Sequence, residues 1–270
     1  MSNIIIDPYR FGIDCSSNVI SCSINAYDFD GVNDELELAD DDDFSFNAVN
    51  SGSNINTAHS ASVYMKRDSV SGTHDGVYGK GITGDSTYVV EYRVFFLGNM
   101  LFMDTYDLEN ANYSRKSWYV STGTGWFHLA VAFGTTSSEH SAWVNGVSLG
   151  SGSVGSGGTA GDMENTTGTF QVGNIPIDTG TLTGYTYHYE GLLTQFMLWK
   201  DHKLTQDEVD YLYSSGTALR NPTIDCGAYQ ISNKLKLWIK EEDGVDHSGN
   251  GHNMTLENGL THDTTSNTPC

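Results

Sequence analysis

The chain has 270 residues, 38% of them hydrophobic, with 30 Gly and only 4 Pro. That length suits one large β domain or two small ones, and the composition suits many short strands joined by Gly, Ser, Asn and Thr turns. A formal charge of −21, from 34 acidic and 13 basic residues, repels phosphate backbones and anionic lipid, so nucleic acid and membrane are poor partners.

No apolar run approaches the ~20 residues of a membrane span. The opening MSNIIIDPYRFG has no basic n-region and does not read as a signal peptide. Synthesis in a cytoplasm, without export by the usual route, is the expectation. Cys15, Cys22, Cys226 and Cys270 include no CxxC and have no zinc-ligand spacing. Reduced thiols are therefore expected, with a Cys15–Cys22 bridge as the alternative in oxidising water.

In chain order, residues 1–25 read as an arm. Ile4-Ile5-Ile6 followed by Asp7-Pro8 gives an extended piece and a turn, which either covers a sheet edge or reaches a partner. The β pattern begins at Ala26. Tyr27-Asp28-Phe29 and Glu35-Leu36-Glu37-Leu38 alternate about a turn at Gly31 to Asp34 and read as a hairpin. Asp40 to Asp43 is a run of four acids, read as a solvated loop rather than a cation site, because Asp-x-Asp spacing and a calcium-loop Gly are missing.

Further strands are expected over 61–66, 88–96, 100–106 and 117–121. A meander comes next: Trp126–Phe133 alternates strictly, Ser141–Val144 is a second run, and Asn145-Gly146 turns into a third strand over 147–149. Residues 151–168 form a Gly/Ser/Thr-rich loop before a strand at Thr169–Val172. Tyr185, Tyr187 and Tyr189 are placed on one face of a strand, with Thr186, His188 and Glu190 opposite. Gly191 then marks a bend before a last strand over 192–199. Thr205-Gln206-Asp207-Glu208 is a capping box, Leu204 and Val209 sit at staple positions, and Gly216 is a stop, so a short helix spans about 205–215. Beyond Asn221-Pro222, residues 234–240 alternate again, 246–252 are turn-rich, and the tail 261–270 is polar and expected to be irregular.

The order YDFDGVNDELEL, DDFSF, WFHLAVAF, WVNG, FQVGN and YEGLLTQFMLWKDHKLTQDEVDYLY resembles the laminin G-like, concanavalin A-like lectin domains. The resemblance implies an antiparallel jelly-roll sandwich with one short helix over 26–220, flanked by the arm 1–25 and a C-terminal extension 221–270. The segment LKLWIKEEDGVDHSGNGHNMTLENG is similar to the stretch C-terminal to such domains in virion proteins of marine and freshwater phages, and Ile6 to Phe11 is similar to their opening stretch. It implies a virion protein, made in the host cytoplasm, for capsid decoration, tail or fibre. Other virion proteins and further copies of the chain are its expected partners. Residues 235–256 are expected to complete a sheet edge, in this chain or a neighbour's.

The same resemblance frames the candidate sites. Glycan contacts fall to Trp118, Tyr119, Tyr185, Tyr187, His188 and Tyr189, since sugars stack on aromatics and hydrogen-bond to polar groups; core packing is the plainer reading of each. The family often has acidic residues in its last strand, where this chain has Gly191 to Phe196. Calcium is then left to Asp246 and Asn250 with loop carbonyls, against the plainer reading of an Asx/Gly turn. Glucanases of this fold use an E-x-D-x-E strand. Glu35 and Glu37 share a face, but the intervening Asp is absent, and no other catalytic motif occurs, so no enzyme is expected.

Overall fold

The computed structural model describes residues 19–20, 25–50, 53–70, 74–82, 90–107, 112–155, 163–176, 187–216, 219–240 and 243–263. Its strands, in chain order, are β1 (Val19–Ile20), β2 (Ala26–Asp30), β3 (Glu35–Leu38), β4 (Asn47–Asn50), β5 (Ser53–Asn56), β6 (His59–Arg67) and β7 (His74–Gly81). Then come β8 (Val90–Leu97), β9 (Met100–Asp107), β10 (Asn112–Tyr119), β11 (Trp126–Phe133), β12 (Ser141–Val144), β13 (Val147–Ser148) and β14 (Ser153–Val154). The last are β15 (Thr169–Val172), β16 (Glu190–Lys200), β17 (Leu219–Arg220), β18 (Leu235–Ile239), β19 (Thr255–Glu257) and β20 (Thr261–Asp263), with α1 (Gln206–Tyr213) between β16 and β17.

Two antiparallel sheets face each other. The first runs β14-β10-β9-β8-β7-β15-β3-β19, and the second β13-β12-β11-β6-β16-β2-β20, with β18 also paired to β16. Alternation along each strand sends one set of side chains between the sheets. Phe29, Leu36, Tyr92, Phe96, Phe127, Leu129, Phe170 and Phe196 meet there in one buried cluster.

The expected meander is present in the second sheet. Asn145 and Gly146 have φ of 50° and 76°, the pair of positive values a tight hairpin turn requires. Asn145 Oδ1 also accepts from the His128 backbone N–H at 2.8 Å, which ties the turn to the neighbouring strand. The helix packs on the outer face of this sheet. Leu204, Val209 and Leu212 cluster there with Trp143, Trp199 and Trp238. Its capping box forms as expected, with Glu208 Oε2 accepting from the Thr205 N–H at 2.7 Å. The helix ends earlier than Gly216, at Ser214, whose φ of 47° turns the chain left-handed.

Several expectations are corrected. The 26–38 stretch is not a hairpin: β2 pairs with β16 and β20, and β3 with β15 and β19. The turn between them carries the chain from one sheet to the other. Its Asp30 Oδ1 accepts from the N–H groups of Val32 and Asn33. Phe29 and Leu36 point into the same core, and an alternating pattern cannot distinguish that from a shared sheet. Tyr187 and Tyr189 do not share a strand face: residues 187–189 are not strand, Tyr189 lies between the sheets, and Tyr187 lies on the outer face of the first. The bulge in β16 falls between Thr194 and Met197, where Gln195 has φ 53°, beyond the bend expected at Gly191.

The acidic run is solvated, with Asp40 and Asp42 exposed, but it is also ion-paired. Lys80 reaches Asp40 at 2.8 Å, Lys236 reaches Asp43 at 3.0 Å, and His252 lies 3.5 Å from Asp41 and 3.3 Å from Asp43. Cys226 is disulfide-bonded, not a reduced thiol; Cys15, Cys22 and Cys270 lie outside the described residues. Residues 235–256 do pair within the chain, through β18 on β16 and β19 on β3; Thr261–Asp263, expected to be irregular, instead forms β20 on β2. Of the arm, β1 pairs with β17.

Candidate functional site

The outer face of the first sheet carries the site. Alternate residues of β3 and β15, Glu35, Glu37, Thr169 and Gln171, project from it, because Leu36, Phe170 and Val172 fill the core on the other side. A strap made of residues 173–176 and 187–188 lies across this face. Gly173 N–H donates to the Val77 carbonyl at 3.0 Å, and Gly76 N–H donates to the Tyr187 carbonyl at 2.9 Å. The crossing needs glycine beneath it. A Cβ on Gly76 would collide with the Tyr187 carbonyl and lie 2.9 Å from Ile175 N, and one on Gly79 would lie 2.9 Å from Pro176 Cδ. Ile175 and Tyr187 then pack on Phe95.

Between strap and sheet edge lies a cleft of about 600 Å³, lined by Asn33, Glu35, Glu37, Gln171, Asn174 and His188 among others. Asn174 Nδ2 donates to Glu35 Oε2 at 2.6 Å. Thr169 Oγ1 and Gln171 Nε2 donate to Glu37 Oε2 at 3.2 and 3.4 Å. Burial raises the Glu35 carboxyl above its ordinary range against the Asn174 hydrogen bond, and the charges of Glu37 and Glu257 push it the same way. Burial lowers His188, though the Asp34 backbone partly opposes it. Chemically, the cleft presents carboxylates and side-chain amides, groups that hydrogen-bond to a polyhydroxylated ligand, while the Tyr187 ring, 2% exposed, is packed away against Phe95 and Ile175.

On the far side of the strap the face changes sign. Arg93 and Arg115 both bond to Asp104, at 3.0 and 2.6 Å, and their guanidinium groups lie over Phe95.

Of the sequence candidates, His188 lines the cleft, and Tyr187 borders it with its side chain buried against Phe95 and Ile175. Tyr189 is buried between the sheets, and Trp118 is buried with its Nε1–H on the Gly150 carbonyl at 3.1 Å. Tyr119 stands out from β10, 67% exposed, and Tyr185 lies outside the described residues. Asp246 organises its own loop. Its two oxygens accept from the backbone N–H groups of Trp238, Ser248, Gly251 and His252 and from Ser248 Oγ. Burial opposes its charge, but these donors hold the carboxyl below its ordinary range. Asn250 Nδ2 donates to the carbonyls of Leu235 and Lys236 at 2.9 and 3.1 Å. Among the described residues no cluster of three or more His, Cys, Asp or Glu is set to hold a metal. Sequence reasoning had Glu35 and Glu37 on one face but missed Gln171 and Asn174, whose only signal was a polar residue alternating within FQVGN.

No protein-family model matches the chain, and no curated protein does. Among solved structures, a native heptameric SAP-like pentraxin from Limulus polyphemus matches at TM-score 0.54 and 12% identity, over 90% of this chain and 96% of the pentraxin. The chain is a lectin-like jelly-roll sandwich. Weaker likenesses run to the sialyllactose-bound CBM40 of a Ruminococcus gnavus IT-sialidase, at TM-score 0.44 and 11% identity over 58% of this chain and 83% of the module. The receptor-binding domain of botulinum neurotoxin type G matches at TM-score 0.41 and 11% identity, over 60% of this chain and 39% of that domain. At these identities the likeness concerns the fold alone.

Proposed function

We propose that the chain is a virion structural or accessory protein whose lectin-like domain stands exposed on the particle and takes a host-surface glycan in the Glu35–Glu37 cleft. The observation that carries the glycan reading is the cleft itself: about 600 Å³, open on a sheet face, lined by carboxylates and amides. The role is binding without catalysis. Glu35 and Glu37 are each held by neutral side-chain donors and serve as acceptors for sugar hydroxyls. The virion setting rests on the resemblance of residues 6–11 and 235–259 to phage virion proteins, with other virion proteins and further copies of the chain as partners. The disulfide at Cys226 supports exposure to an oxidising medium.

Two measurements test this. A glycan array is run with the intact protein and with Gln171→Ala and Glu37→Ala; binding that both variants lose by about tenfold or more is expected. Binding that survives both puts the glycan site elsewhere. Antibody to the chain should label purified particles. Array binding without any particle signal replaces the virion reading with that of a non-viral lectin.

A further inference from the structure

The cleft presents hydrogen-bond acceptors far more than donors. Glu35 and Glu37 project from the same face of β3, and Glu257 lies opposite Glu35 in the adjoining β19. In each of Glu35 and Glu37 only Oε2 is engaged by a described donor. Gln171 lines the same cleft, is 3% exposed, and its Oε1 has no hydrogen-bond partner. Its orientation is set, because its Nε2 faces Glu37. His188 adds a buried Nδ1 that also lacks a partner. A buried carbonyl oxygen without a donor costs free energy that a ligand N–H recovers.

No lysine or arginine lines the cleft among the described residues. Lys80, the nearest cation along β7, is spent elsewhere, on Glu91 at 2.9 Å, Ser45 Oγ at 2.6 Å and the Thr166 carbonyl at 3.1 Å. Arg93 and Arg115 lie across the strap and are both engaged by Asp104. Two carboxylates along one strand face, about 7 Å apart at their Cα atoms, repel each other and any anion, and a cation between them relieves both.

We propose that the cleft selects a glycan bearing a protonated amino group, the ammonium lying between the Glu35 and Glu37 carboxylates and donating to Gln171 Oε1. The class is an amino sugar without its N-acetyl cap. A sugar carboxylate or sulfate is excluded by charge, and an N-acetyl group supplies one donor and a bulky acyl group where three donors are wanted. The inference rests on the glycan reading of the cleft and narrows it.

The test is calorimetric titration at pH 6, where such amines are protonated, with three tetrasaccharides: glucosamine, N-acetylglucosamine and galacturonic acid. The glucosamine tetramer should bind about tenfold or more tightly than the other two, and Glu37→Gln should erase that margin. Asp207→Asn, on the exposed first turn of α1, removes one charge far from the cleft and should leave it intact. An equal loss in Asp207→Asn means general attraction to an acidic surface and overturns the proposal. So does equal or tighter binding of galacturonate. If the neutral tetramer binds and glucosamine gains nothing, the amine falls and the glycan reading stands. Absence of binding by all three, with no hit on the array, removes both.

Discussion

His59 sits in the core with a ring that gains nothing from its nitrogens. It is fully buried and lies between Phe46 and Phe133, with centroids 3.7 and 4.2 Å away. Neither Nδ1 nor Nε2 has a hydrogen-bond partner. Burial, with a smaller contribution from His140, holds its pKa well below the usual value. The unfolded chain therefore takes up a proton below about pH 6.5 that the folded chain refuses, and stability falls as the pH drops. Replacing His59 with Leu removes that linkage. At pH 7 the gain should be about 1 kcal/mol, the desolvation of two polar nitrogens set against lost ring stacking. The gain should be larger at pH 4.5 than at pH 7, by up to about 1.4 kcal/mol for each pH unit below the ordinary histidine value. Urea unfolding at the two pH values measures both. A His59→Leu advantage that is the same at pH 7 and 4.5 would refute the reasoning, because it would mean that the folded protein accommodates the imidazolium. His128 and His140, both pushed down to about 3 by burial, act in the same direction, so the parent protein should be less stable at pH 4.5 than at pH 7.

The strap, the loop and the disulfide each carry a further expectation. Gly76→Ala places a methyl against the Tyr187 carbonyl and should cost about 2 kcal/mol or more while abolishing glycan binding; unchanged binding would separate strap from cleft. Asp246→Ala strips the acceptor from four backbone N–H groups and should cost about 3 kcal/mol in chemical denaturation. A calcium-dependent rise in Tm that the same change abolishes would make the loop a metal site rather than a hydrogen-bonded turn. Reduction of the Cys226 disulfide should cost about 2–4 kcal/mol, read as a drop in Tm with reductant.

The local pieces of this protein are written in short stretches of sequence. Alternation delimits Trp126–Phe133, Asn145-Gly146 sets its own turn, and Thr205 with Glu208 caps its own helix, because each depends on contacts within a few residues or on adjacent strands. Even the inward set of core residues comes from period two. Tertiary structure alone decided which strands are neighbours. Leu36 alternates the same way whether β3 pairs with β2 or, as it does, with β15 from residue 169 onward. The acids of 40–43 find Lys80, Lys236 and His252, and Asn174 finds Glu35, over separations no local pattern encodes. Tyr187 and Tyr189 part to opposite faces of the first sheet because the strap, not a strand, carries them there. The cleft is a product of such pairings: β3 contributes two carboxylates, β15 an amide, and the strap a wall, and only their juxtaposition turns three ordinary polar positions into one site.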